Sequence, residues 1–252
     1  MTIGIVGCGW LGERIIESIG GEYSIRTTTT SQEKFELLDA KGFNPTLVSF
    51  SDVISLPAPQ LWNEVQDLDV VVITVPFPNK NTSFSAQSAM IANLVSFLGD
   101  FKGQMFFMSS TSVYPDSPME FTEADLPPED VVNERLVRQA YPQVNILRLA
   151  GLMGGNRLLS NYRVSNLELP VNHVHYEDVR GIIKRMIVLH SASKVYNVVA
   201  PMHPAKAEVI AAQTNTSSPG HISTKGKIIS CQKLISELDY QFRYPDPRLF
   251  HL

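Results

Sequence analysis

A chain of 252 residues, 44% hydrophobic and 18% charged, has an ordinary globular composition and ample length for a large core. Its formal net charge of −4 argues against a broad nucleic-acid or anionic-membrane surface. Cys8 and Cys231 make no disulfide framework and fit a reducing cytoplasm; no apolar run nears the roughly 20 residues of a membrane helix, and MTIGIVGCGW carries no basic leader, so no signal peptide is expected.

In chain order, TIGIVG (2–7) reads as a buried strand and LGERIIESIG (11–20) as a helix with apolar spacing near 3.6. Between them lies Gly7-Cys8-Gly9-Trp10-Leu11-Gly12, a G-x-G-x-x-G. At that place glycines serve a tight turn, backbone approach to a pyrophosphate, and close helix–strand packing. The helix N-terminus then presents N–H groups and a favourable dipole to phosphate. Gly7, Gly9, Trp10, Leu11 and Gly12 are therefore candidate dinucleotide contacts. The bland alternative is a plain strand–helix turn. Alone the motif is weak; opening a βαβ pattern, it points to a dinucleotide.

YSIRTT (23–28) is a second strand and SQEKFELLDAKG (31–42) a second helix, with Ser31 as N-cap and Gly42 as stop. NAD sites usually place an acid at the end of this strand to hold the ribose 2′-hydroxyl. Here the run is Arg26-Thr27-Thr28-Thr29-Thr30-Ser31, with no acid before Glu33. An acid would repel a 2′-phosphate, whereas Arg26, the hydroxyls of Thr28, Thr29 and Ser31, and Lys34 can donate to one. NADP(H) is thus expected in preference to NAD(H). Alternation puts Arg26, Thr28 and Thr30 on one face and Thr27 and Thr29 on the other, so not all reach one ligand.

NPTLVSF (44–50) is a third strand and DVVVITVP (69–76), bounded by Pro76 and Pro78, a fourth. Thr74, Val75 and Pro76 stand where a cofactor crosses the carboxyl edge of a sheet; a strand end leaving the core is the alternative. SFSAQSAMIANLVSFLGDF (83–101) is a long helix, GQMFFMSS (103–110) a fifth strand, PPEDVVNERLVRQAYP (127–142) a helix and QVNILRLAG (143–151) a sixth strand. Such alternation makes βαβ units, and the expected class is α/β with a doubly wound parallel Rossmann sheet. After Gly151 the pattern loosens into loops to about 172. It resumes with a helix at 176–192, a strand at 194–200, and helices at 205–214 and 230–240. The expected organisation is a Rossmann domain over 1–150 and a small C-terminal, substrate-side lobe over 151–252, interleaved in one compact unit.

The fifth strand ends SSTSVYP (109–115), and FTEADLPP (121–128) follows. With the Rossmann start, this resembles the extended short-chain dehydrogenase/reductases, the NAD(P)-dependent epimerase/dehydratase relatives. Their fifth strand typically ends S-S-x-x-V-Y-G before T-E-x-x-P. Further matches come in order. NILRLAGLMGGNR (145–157) is similar to the family's R-x-x-x-x-Y-G-P, VNHVHYEDVRGII (171–183) to its I-x-x-I-H-V-x-D-V-A, and KVYNVVAPMHP (194–204) to its Y-N-V strand. ISELDYQFRYPD (235–246) resembles most a subgroup of short, atypical bacterial members, the YeeZ type.

The resemblance implies a catalytic Ser/Thr at Ser110, with Thr111 beside it, hydrogen-bonding the substrate oxygen that is oxidised or reduced. It also implies a tyrosine acid/base and, four residues on, a lysine that holds the nicotinamide ribose. A phenol of pKa about 10 is a poor base at neutral pH unless a cation stabilises the phenolate. The sequence departs there. None of the eight tyrosines has a lysine four residues on, and no lysine occurs between Lys102 and Lys184. Aligning Glu134 with the glutamate that often follows the family's lysine puts Leu126 and Asp130 at the Tyr and Lys positions. Tyr176 and Arg180 have the spacing, in a segment that matches another part of the fold. Tyr114 or a water is left as proton donor.

Arg157 and Arg163, and more weakly Asn156 and Asn172, follow the sixth strand, where extended members build the substrate pocket. Arginine suits bidentate recognition of phosphate or carboxylate; solvated loop charge is the alternative. His173, His175, His203 and His221 lack ligands at metal spacing, so no metal is expected. His175 and Asp178 fit the family's buried H-x-x-D, a loop-orienting pair. Cys8 lies where a helix N-terminus lowers a thiol pKa, making it a redox-sensitive candidate or simply a small buried residue.

The resemblance implies an NAD(P)(H)-binding protein, an oxidoreductase or epimerase for a small polar or nucleotide-linked substrate, without nucleic-acid or membrane partners. The missing Tyr–Lys pair keeps open a non-catalytic NADP(H)-sensing regulator. A reductase of the pyrroline-carboxylate or hydroxyacid type suits the glycine turn but not the Ser–Val–Tyr strand end.

Overall fold

A computed structural model describes residues 1–53, 59–77, 82–217 and 225–252; Pro78 and His221 lie outside them. The first half runs β1 (Thr2–Val6), α1 (Trp10–Ile19), β2 (Ser24–Thr29), α2 (Gln32–Ala40), β3 (Pro45–Leu47), β4 (Val70–Ile73), α3 (Phe84–Leu98) and β5 (Gln104–Ser110). Then come β6 (Glu120–Phe121), α4 (Val132–Ala140), β7 (Asn145–Leu149), β8 (Gly151–Met153), β9 (His173–His175) and α5 (Tyr176–Val188). The chain closes with β10 (Val195–Val198), α6 (Lys206–Thr214), β11 (Ile228–Ile229) and α7 (Gln232–Leu238).

Seven strands form a parallel sheet in the order β3-β2-β1-β4-β5-β7-β10. The chain leaves β1 in one direction through β2 and β3, then returns to lay β4 on the other side of β1. That reversal is the switch point at which open α/β sheets bind ligands, outside the carboxyl ends of the strands. Two small two-stranded sheets, β6 with β11 and β8 with β9, accompany it.

Continuous apolar runs make the central strands. Every residue of β4 is buried, as are Gly4, Ile5 and Val6 of β1, the pattern of a sheet covered on both faces. Helix α1 buries Leu11, Gly12, Ile15, Ile16 and Ile19, one stripe at helical spacing. Ser31 caps α2 by accepting the N–H of Lys34, and Ser83 caps α3 by accepting that of Ala86. Trp62 stacks on Phe97 with ring centroids 5.2 Å apart, in a core that includes Phe101, Phe107 and Ile146.

The chain folds as two compact units, each drawn from several segments: residues 1–109, 127–147 and 186–195, and residues 110–126, 148–185 and 196–252. Several elements are shorter than the sequence pattern predicts, two of them by about half. The third strand keeps only Pro45–Leu47 of 44–50. The helix expected over 127–142 begins at Val132, because Pro127 and Pro128 shape the preceding residues into a 3-10 turn, Pro128–Asp130. No helix among the described residues is long and apolar enough to cross a membrane.

Candidate functional site

In the first unit, the turn after β1 is held from both neighbouring strands. The Gly7 N–H donates to Thr28 Oγ1 at 2.8 Å, and the Cys8 N–H to the Thr28 carbonyl at 2.7 Å. From β4's end, Thr74 Oγ1 donates to the Gly7 carbonyl at 2.5 Å and to that of Val6 at 3.3 Å. Thr28 and Thr74 thus fix the turn at the switch point.

The three glycines do different work. Gly7 has φ +89°, and a Cβ there would lie 2.5 Å from Val75 Cγ2 and 3.0 Å from the Val75 nitrogen. A Cβ on Gly12 would meet Ile5 Cγ2 at 3.1 Å and the Gly7 carbonyl at 3.2 Å, so this glycine lets α1 close onto the strand. Around Gly9 the space is open: a Cβ would meet nothing nearer than the Gly7 carbonyl at 4.0 Å. Gly9 is also the N-cap of α1 and supplies no side-chain cap. The first turn of a helix leaves N–H groups without intrahelical acceptors, and here the space over Gly9 beside them is open. That geometry fits a dinucleotide pyrophosphate. Leu11 is buried beneath the turn. Trp10 lies half-buried at its rim, with the Arg14 guanidinium 3.8 Å from its ring centroid.

Of the two readings of the cysteine in this turn, burial favours the small buried residue. Cys8 is buried, and burial pushes its thiol up to about 12 despite the favourable charges of Lys34 and Lys41. Loss of solvation outweighs the nearby positive charges and disfavours the thiolate, in keeping with a packing residue.

Within β2, Arg26 is half-buried and donates to the Ile25 carbonyl at 3.0 Å. Thr29 Oγ1 accepts the Ser31 N–H at 3.3 Å, and Thr27 donates to the Phe43 carbonyl at 3.3 Å. Lys34 pairs with Glu13 of α1. Past β4, Val75 is half-buried against Gly7, and Pro76 is exposed.

Ser110, Thr111 and Tyr114 belong to the second unit. Ser110 Oγ accepts the Ser112 N–H at 3.1 Å and caps a 3-10 turn, Thr111–Val113. Its own proton stays available to a ligand oxygen. Thr111 is buried. Tyr114 is fully buried, donates to Asn197 Oδ1 at 2.9 Å, and accepts from Arg148 Nη1 at 2.8 Å. Burial pushes its phenol above the ordinary value even with the Arg148 guanidinium beside it. The Tyr114 hydroxyl gives its one proton to Asn197 Oδ1, so donation to a substrate would require that bond to break.

The same network draws in Glu123, whose Oε1 accepts the Asn197 N–H at 2.6 Å, while Asn197 Nδ2 donates to the Ser230 carbonyl at 3.2 Å. Glu123, Arg148 and Asn197 were not singled out from the sequence. A signal existed: arginine inside the apolar strand NILRLAG must be partnered if both faces of the sheet are covered. In the first unit, Glu134 is buried and accepts from Ser109 Oγ at 2.6 Å.

No protein-family model matches the chain. It is similar to protein YeeZ of Escherichia coli K12, 29% identical over 272 residues that span 99% of this chain and 98% of YeeZ. Among solved structures it is similar to UDP-N-acetylglucosamine 4-epimerase from Bacillus cereus, with TM-score 0.70 and 19% identity over 97% of this chain and 94% of that one. It is also similar to yeast methylglyoxal/isovaleraldehyde reductase Gre2 complexed with NADPH, with TM-score 0.70 and 15% identity over 96% of this chain and 94% of that one. The fold is the Rossmann-like fold of these epimerases and reductases.

The other candidates fall in the second unit. Asn156 and Arg163 are exposed and Arg157 half-buried, in a turn where the N–H groups and carbonyls of Gly154 and Arg157 bond each other at 2.9 and 3.1 Å. Both amide groups of Asn172 are used, donating to the Lys227 carbonyl at 2.8 Å and accepting the Ile229 N–H at 2.9 Å. Asp178 accepts from Tyr240 Oη at 3.0 Å, the Arg243 N–H at 2.7 Å and the Tyr244 N–H at 3.0 Å, anchoring the segment 240–244. His175 stacks on Tyr244, centroids 3.8 Å apart.

His173 and His175 give a pH prediction. Burial, foremost, pushes both down from 6.5 to about 4. Lys206 adds to this for His173, and Arg243 and Arg180 for His175. Between those values each is neutral when folded and protonated when unfolded, so unfolding takes up protons. These two histidines are therefore expected to lower stability as pH drops from 6.5 towards 4 and to add no pH dependence above 6.5. Urea unfolding across that range checks it, and His175→Phe should reduce the slope by about one proton.

Proposed function

We propose that this chain binds a nicotinamide dinucleotide at the Gly7–Gly12 turn, NADP(H) in preference to NAD(H), and acts on a small polar or nucleotide-linked substrate as an oxidoreductase or epimerase. The observation that carries the reading is the open cradle over Gly9, bordered by the start of α1 and locked at the switch point by Thr28 and Thr74. The absence of an acid between Arg26 and Ser31 supports a 2′-phosphate. The likeness to an epimerase and to an NADPH-bound reductase supports the reaction class. When bound, the nicotinamide supplies hydride transfer. Gly7, Gly9 and Gly12 admit the pyrophosphate, Trp10 and Leu11 shape the helix start, and Thr74, Val75 and Pro76 border the adenosine side. Ser110, with Thr111, positions the reacting oxygen through the hydroxyl proton that its capping bond leaves free. Asn156, Arg157 and Arg163 contact the substrate's polar groups. The buried, unpaired cysteines accord with a cytoplasmic setting, and the partner is a small molecule.

A second reading, a non-catalytic NADP(H) sensor, is favoured by one observation. The Tyr114 hydroxyl is engaged inside the core, and Leu126 and Asp130 lie outside any α-helix.

Titration calorimetry should show binding of NADPH, and weaker binding of NADH; no heat from either at millimolar concentration rejects both readings. A substrate screen on nicotinamide absorbance then separates them. Turnover that falls in Ser110→Ala supports the enzyme, and turnover undiminished removes Ser110 from the mechanism.

A further inference from the structure

We propose that His173 is a catalytic residue whose Nε2–H donates a hydrogen bond to the substrate oxygen that Ser110 positions, stabilising the negative charge that gathers there during reduction. The proposal rests on the enzyme reading above. Ser110, Gly151 and His173 all belong to the second unit. Asn145, which opens β7, donates to the Met105 carbonyl near the start of β5 at 3.1 Å. These sheet neighbours therefore run level, and their carboxyl ends, Ser110 and Leu149, stand side by side. Gly151 comes two residues after Leu149 and pairs in register with His173, which opens β9. The backbone there is fixed. The His173 carbonyl accepts the Ala200 N–H at 2.8 Å, and the Gly151 N–H donates to the Asn172 carbonyl at 3.0 Å.

The imidazole differs from its neighbours in what it bonds. Nδ1 of His175 accepts the Glu177 N–H at 3.3 Å, and Nδ1 of His203 lies 3.0 Å from the Val171 carbonyl. His173 Nδ1 is enclosed and has no hydrogen-bond partner among the described residues. A proton there would be a buried donor without an acceptor, so the neutral ring carries its proton on Nε2. The Cδ2–Nε2 edge lies over Gly151, which is exposed; a Cβ at 151 would come within 2.7 Å of Cδ2 and 3.3 Å of Nε2. The glycine thus leaves the Nε2 edge open to a ligand. Burial, aided by Lys206, pushes the ring down to about 4, so it is neutral at neutral pH. A neutral imidazole can donate a hydrogen bond to a carbonyl oxygen and keep its proton. As a carbonyl carbon is reduced at the nicotinamide, charge gathers on its oxygen. Ser110 and His173 give that oxygen two donors held in place beforehand, and solvent supplies the proton that completes the alcohol.

The test begins on wild type without substrate. Histidine nitrogen NMR on isotope-labelled protein, with His173 assigned by the signal missing in His173→Gln, should show a neutral ring protonated at Nε2 from about pH 6 to 8. A ring protonated at Nδ1, or charged at neutral pH, overturns the proposal. Kinetics then use the carbonyl compound that NADPH turns over in the absorbance screen. His173→Phe should lower kcat about a hundredfold or more and leave KM within about threefold. Gly151→Ala keeps the imidazole but sets a methyl 2.7 Å from its Cδ2, and should lower kcat likewise. His173→Gln can place an amide N–H near the position of Nε2 and should recover part of the loss; no recovery makes the ring a proton carrier and overturns the donor role. A His173→Phe that melts and turns over as wild type does overturns the proposal and leaves the enzyme reading standing. A wild type that binds NADPH and reduces no compound overturns both.

Discussion

Replacing Arg148 by methionine is expected to destabilise the protein by about 3–5 kcal/mol, the usual cost of removing one partner from a buried charged network. Arg148 is fully buried, and its guanidinium carbon lies 5.2 Å from the Tyr114 ring centroid. Its Nη1 donates to the Tyr114 hydroxyl, which donates in turn to Asn197; Asn197 donates to Glu123. Methionine fills much of the volume but deprives Tyr114 of its donor and Glu123, whose carboxyl burial pushes above the ordinary value, of one of the cations that offset that rise. Tyr114→Phe removes one hydroxyl and should cost less, about 1–3 kcal/mol. Because the residues act as a unit, the double variant should fall short of the sum. Urea unfolding midpoints measure all three. An Arg148→Met midpoint equal to wild type would refute the network's structural role. A stability loss in Tyr114→Phe identifies this hydroxyl as a core anchor.

The network also explains which parts of the fold could be read in advance. SSTSVYP, FTEADLPP, NILRLAG and KVYNVVA are separate strings in the sequence, legible only as an ordered series. In the structure one residue from each meets in a single buried chain of hydrogen bonds: Tyr114, Glu123, Arg148 and Asn197. Each is polar and buried because the others are present, and no local pattern announces such mutual dependence. The apolar runs of β1, β4 and β5 and the cap Ser31 were legible because burial and capping act within a few residues. Strands of two or three residues, such as β6, β8 and β11, were not, since they exist by virtue of partners 20 or more residues away. The glycine turn was legible as a motif. The distinct duties of its glycines, and the Glu13–Lys34 pair beside it, required the neighbouring strand and helix to be in place.

Those duties predict opposite outcomes for two similar substitutions. Gly7→Ala should destabilise the fold by about 2–5 kcal/mol, since strain at a left-handed φ and overpacking each cost about 1–3 kcal/mol. The residue sits at φ +89°, and its new Cβ would press on Val75 Cγ2 at 2.5 Å and on backbone at 3.0 Å, with no flexible end to move aside. Gly9→Ala should fold nearly as well as wild type, at a cost below about 1 kcal/mol, because φ −90° and ψ −156° suit any residue and the nearest atom is 4.0 Å away. Yet that open space is where the pyrophosphate must approach the backbone, so NADPH affinity in Gly9→Ala should fall at least about tenfold. Thermal melts and calorimetry on the same preparations separate the two effects. If Gly9→Ala binds NADPH as wild type does, the turn is not the pyrophosphate cradle. If it melts as low as Gly7→Ala, the openness at Gly9 has been misjudged.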